Sequence, residues 1–124
     1  MKRTYVIVPR KIDSKPPLTL SCGFAMAQIH HATAKAAKRF DINPDEIAIV
    51  LEVPDGRALF ELSDELFLKG IRFIEYWEES HLFEGKELTA LVTEPSDVLE
   101  SLSQVGLWTC ECNKEFASVT QLAE

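Results

Sequence analysis

The chain has 124 residues with 46% hydrophobic content, which suits one folded domain around one core and argues against a disordered polymer. Its longest apolar runs, such as the one from Ile47 to Leu51, are too short to span a bilayer, and no cleavable apolar leader follows Met1-Lys2-Arg3. The expectation is a cytoplasmic protein with no membrane role. Net charge is −7, but it is unevenly placed: residues 1–40 hold eight basic groups and one acid, while the remaining 84 hold five basic groups and nineteen acids. A basic first third predicts a surface for an anionic partner, against the plainer reading of a solvated helix and segment that happen to be basic.

Thr4 to Val8 is rich in β-branched and aromatic residues and predicts a buried strand that Pro9 ends. Residues 10–21 read as a polar loop, with Pro16-Pro17 excluding helix. Ser21 is placed to cap a helix along which Ala25, Ile29, Ala32, Ala36 and Phe40 make an apolar stripe, with Lys35, Lys38 and Arg39 off it. Pro44 breaks the next turn. Glu46 to Val53 is apolar nearly throughout, as in a sheet covered on both faces. After Pro54-Asp55-Gly56, a helix is predicted over 57–69, with Leu59, Leu62, Leu66 and Leu68 as its apolar content and Gly70 as its stop.

Ile71 to Tyr76 predicts a third strand, 78–85 an acidic loop, and Glu87 to Thr93 a fourth strand ended by Pro95. A short helix from Ser96 to about Ser103 and an edge strand over 107–112 follow, and Phe116 to Leu122 suits a helical turn or two. The order predicts a single-domain α/β three-layer sandwich, a mixed four-stranded sheet with helices on both faces. Cys22, Cys110 and Cys112 are an odd number and make no complete disulfide framework. Cys110 and Cys112 would share one face of a strand, and their spacing is not that of a zinc site. His30 and His31, adjacent on a helix, diverge too far to share one ion with His81 or the cysteines.

Gly23, Ala27, Gln28, His31 and Ala32 match the first-helix signature of the type II peptidyl-tRNA hydrolases, which carries a glycine, small residues, a glutamine and a His-Ala pair. Arg10 resembles the arginine that ends that family's first strand, and Gly85 to Leu91 resembles its glycine-then-threonine entry to the last core strand. The element order agrees from about residue 4 to 105. The resemblance implies hydrolysis of the ester joining a peptide to the terminal ribose of tRNA, with no metal or organic cofactor. Water must attack the carbonyl while one group takes its proton and a donor steadies the oxyanion. It implies Gln28, His31 and Thr89 as site residues, Glu78 or Glu79 in place of a family aspartate, and Ser80 in place of a threonine. Arg10, Lys11, Lys15 and Lys35 would bind substrate, with tRNA or peptidyl-tRNA as partner.

The chain departs from the pattern at Phe24, where the family has a lysine, and Lys11 or Lys15 would have to supply that cation from elsewhere. Trp77 and Trp108 suit core or rim packing, or stacking on a base. Two other readings stand beside the enzyme: a binding module that kept the fold and lost the chemistry, and a homodimer formed through the 107–112 edge strand.

Overall fold

The structure, a computed structural model, describes residues 2–109. Seven strands and two helices follow in the order β1 (Arg3–Pro9), β2 (Lys11–Ile12), β3 (Leu18–Thr19), α1 (Cys22–Ala37), β4 (Ile47–Val53), α2 (Gly56–Leu68), β5 (Phe73–Glu79), β6 (Lys86–Thr93) and β7 (Gly106–Leu107). Five of the strands form one sheet in the order β5-β6-β1-β4-β7. β1 and β4 are parallel, with Arg3 opposite Ile47 and Pro9 opposite Val53, and every other pairing in the sheet is antiparallel.

Alternation along β1 explains the layers. Tyr5 and Ile7 point to one face and join Leu59, Leu62 and Leu66 of α2 in one cluster. Val6 and Val8 point to the other and meet Ala32 and Ala36 of α1. The alanines bring α1 close to the sheet, while the leucines of α2 fill a wider gap. Burying a leucine such as Leu59 or Leu66 fully stabilises by about 1.5–3 kcal/mol. Helices thus cover both faces of a mixed sheet, but the sheet has five strands, not four.

The fifth strand is the short β7, pairing Leu51 with Leu107 on the outer side of β4. It belongs to the edge strand expected over 107–112, of which Cys110 and Cys112 lie outside the described residues, as does the helical turn expected over 116–122. So short an outer neighbour leaves Ile47 and Ala48 exposed at the start of β4.

Both helix starts follow the capping rules. Ser21 Oγ accepts from the Phe24 N–H at 3.2 Å, and Asp55 Oδ1 accepts from the Ala58 N–H at 2.8 Å. Gly70, at φ 73°, ends α2: its N–H reaches the Phe67 carbonyl, and the Ile71 N–H reaches the Leu66 carbonyl. That pair of bonds needs a left-handed residue between them, which glycine supplies without strain. Cys22 is buried at the start of α1.

Four expectations need correction. Residues 10–21 are not a plain loop: β2 and β3 pair as a small ladder, anchored by fully buried Ile12. Leu68 does not join the core but is 83% exposed, because it sits on the outer side of the last turn of α2. The helix expected after Ser96 is only a 3-10 turn, Glu100–Leu102, with Leu102 buried. The acidic segment starting at Glu78 does not begin as a loop, since β5 runs on to Glu79, with Glu78 opposite Glu87 and Glu79 opposite Lys86.

Candidate functional site

Thr89 lies at an irregularity in the β5–β6 ladder. Tyr76 pairs with Ala90, but the next residue, Trp77, pairs with Leu88, so Thr89 is the extra residue of a bulge in β6. A bulge turns a side chain away from its alternating face. Ala90 and Val92 pack on the α1 side and Leu88 and Leu91 on the α2 side, so regular alternation would send Thr89 to the α2 side. Instead its Oγ1 donates to Gln28 Oε1 on α1 at 2.7 Å, 3.5 Å from the Tyr76 carbonyl.

Gln28 comes to this point because it interrupts the buried stripe of α1 between Ala25 and Ala32. It is 2% exposed and Thr89 is 0% exposed. Each would be costly to bury alone, and each answers the other. Gln28 and Thr89, both expected as site residues, are sealed in the layer between α1 and the sheet.

His31, one turn further along α1, is exposed. Its ring stacks on Tyr76 with centroids 5.7 Å apart and planes at 28°. Tyr76 and Glu78 are two apart on β5 and so share a face. The Glu78 carboxylate therefore lies beside the Tyr76 hydroxyl. Burial pushes the Tyr76 phenol above its ordinary value, and the Glu78 hydrogen bond and charge add to that shift. The hydroxyl therefore keeps its proton and remains a donor. Gln28, His31, Thr89 and Glu78 thus lie around Tyr76, the two amide and hydroxyl groups inside and the imidazole and carboxylate outside. Tyr76 was not singled out from the sequence. The signal was available in its placement two residues before Glu78 on one strand.

Glu79 alternates to the opposite face from Glu78 and stands opposite Lys86. Ser80 Oγ accepts from the Leu82 N–H and shapes the turn after β5. Phe24 is half-buried in the first turn of α1 and offers that position no cation. The Glu87 carboxyl is raised by burial first and by the Asp13 charge second.

The four expected substrate-binding cations are not brought together. Arg10 is tied to Glu52, with an Nη2–Oε1 bond of 3.1 Å and an ion pair to Nε, and it also donates to Thr109 Oγ1. It lines a cleft of about 200 Å3 with Ser21, Cys22 and Trp108 at the end of β1. Lys11 and Lys15 are exposed on the β2–β3 segment. That segment is fastened at the start of α2, where Asp13 Oδ2 accepts from the Arg57 N–H at 3.0 Å. Lys35 stands near the far end of α1, roughly 20 Å along the helix from Cys22, with its Nζ 2.9 Å from the Glu75 carbonyl.

Among the described residues, no three His, Cys, Asp or Glu side chains are grouped as metal ligands would be, and no helix is long and apolar enough to cross a membrane. No protein-family model matches the chain, and no curated protein sequence matches it.

Proposed function

We propose that the chain is a divergent type II peptidyl-tRNA hydrolase-like protein that cleaves the ester between peptide and tRNA by water attack. The observation that carries this reading is the Thr89–Gln28 hydrogen bond. It joins two positions, 61 residues apart in the chain, that the sequence resemblance names independently. In this reading the buried pair fixes the floor of the site. His31 or Glu78, at the surface above it, takes the proton of the attacking water. The protonated Tyr76 hydroxyl, once it turns its single proton away from Glu78, is a neutral donor for the developing oxyanion. Phe24 leaves the site without the cation that the family places there.

That absence and the sealing of Gln28 and Thr89 favour a second reading, in which the fold binds an acylated tRNA end without cleaving it. Release of an N-blocked aminoacyl group from tRNA separates the two. In the hydrolase reading, the native chain turns over above background, and His31→Ala and Thr89→Val reduce turnover by tenfold or more with the thermal melt still cooperative. Salt-sensitive tRNA binding without turnover would select the binding module. Absence of both would remove tRNA from the account.

A further inference from the structure

β5 is an outer strand of the sheet, and among the described residues one of its edges meets no other strand. The Arg72 carbonyl accepts from the Glu94 N–H on the β6 side. Backbone groups alternate along a strand, so Phe73, Glu75 and Trp77 turn theirs outward. The Glu75 carbonyl accordingly meets Lys35 Nζ at 2.9 Å, a lysine lying across an open edge. Beside the edge runs a groove of about 530 Å3, whose lining includes Lys35, Arg39 and Arg72 with Phe67 and Trp77. Phe67 is 75% exposed and Trp77 42%.

The charge along this edge is ordered. Lys69 and Arg72 precede the strand, and Glu78 and Glu79 end it. An antiparallel neighbour of the same sequence would lay its acidic end against the basic start, twice over. We propose that β5 pairs with β5 of a second copy of this chain, giving a twofold dimer whose sheet is continuous across both copies. A twofold axis perpendicular to the sheet keeps each face on its own side, so residues meeting across it must share a face. Pairing about Glu75 satisfies this: Arg72 faces Glu78 on the α1 side, and Phe73 faces Trp77 on the α2 side. Aromatic and opposite-charge pairs are the favourable contacts between neighbouring strands. Phe67, at the end of α2 beside the groove, is covered in the same step.

Three features oppose the pairing and shape its test. Arg72 has to leave Glu94 Oε2, 2.7 Å from its Nη1. Lys35 has to leave the Glu75 carbonyl so that the second strand can donate to it. The two Glu75 residues meet at the axis, each carboxylate accepting from its own Ser63 Oγ at 3.0 Å. The interface is thus predicted to be reversible and to tighten when Glu75 loses its charge. None of this depends on whether the chain cleaves an ester.

The experiment is molar mass by light scattering and sedimentation over a wide concentration range, with circular dichroism to confirm folding. The native chain should reach twice its single-chain mass. Arg72→Glu and Glu78→Arg should each weaken association by tenfold or more, and the double variant should restore it, because the swapped charges face each other again across the axis. Glu75→Gln, which needs no rebuilding of the edge, should tighten association several-fold. A chain that stays monomeric at every concentration would overturn the proposal. So would a dimer indifferent to both single reversals, a double variant that fails to recover, or weaker association by Glu75→Gln.

Discussion

Thr89 and Gln28 satisfy each other where neither can reach water, so removing one partner should cost more than the bond itself contributes. Thr89→Val keeps the shape but leaves Gln28 Oε1 without its donor, and we expect a loss of about 1–3 kcal/mol in denaturant unfolding. Gln28→Leu alone should also destabilise, while the double variant should recover part of the loss, since two apolar groups then face each other. Additive losses would mean that the two side chains do not act as a pair. Tyr76 gives a second test beside them. Its phenol is raised above 10.0 by burial first and by Glu78 second. A raised folded value contributes stability that is fully present below the unfolded value and lost as pH rises through the folded one. The Tyr76 phenolate, isolated as the absorbance difference from Tyr76→Phe, should therefore appear above pH 10, with stability falling over that range. Glu78→Gln should move the midpoint back towards 10 without reaching it, because burial remains. A midpoint unmoved by that change would rule out the Tyr76–Glu78 bond.

Each helix is started by a single side chain and ended by local chemistry, which makes the boundaries testable. Asp55→Ala removes the acceptor for the Ala58 N–H and should destabilise by about 1 kcal/mol in thermal or denaturant unfolding. Asp55→Asn should retain most of that stability, and equal losses in both would mean that the carboxylate acts by charge rather than by capping. These boundaries were legible in the sequence because the signals are local: Ser21 before a stripe of small residues, and Gly70 after the last buried leucine. The β2–β3 ladder was not legible. Strands of two residues carry no periodicity, and Pro16-Pro17 between them reads as loop. The end of β5 was missed for a different reason. Glu78 and Glu79 lie on an outer strand where charge is tolerated, so acidity there does not mark a turn. The positions of Gln28, His31 and Thr89 were legible, but the burial of Gln28 and Thr89 was not. Thr89 is aimed at Gln28 by a bulge, and a bulge depends on the pairing of two strands rather than on either sequence alone.

The uneven charge of the chain becomes a difference between two layers of the molecule. α1 contains no acid and has Lys35 in its last turn, with Lys38 and Arg39 just beyond it. Across the sheet, α2 carries Glu61, Asp64 and Glu65 against Arg57 alone. An anionic polymer should therefore dock on the α1 side despite the net charge of −7. If Lys35, Lys38 and Arg39 each neutralise one phosphate, log affinity for tRNA should fall with log salt at a slope of about −2.7, or about 40-fold between 50 and 200 mM. Lys38→Ala with Arg39→Ala should flatten that slope to about −1 and leave little affinity at the higher salt. Charge removal on α2, through Glu61→Gln and Glu65→Gln, should leave the slope unchanged, because those groups face away from the docked polymer. Binding that ignores salt, or that responds equally to both pairs of substitutions, would place the anionic partner somewhere other than α1.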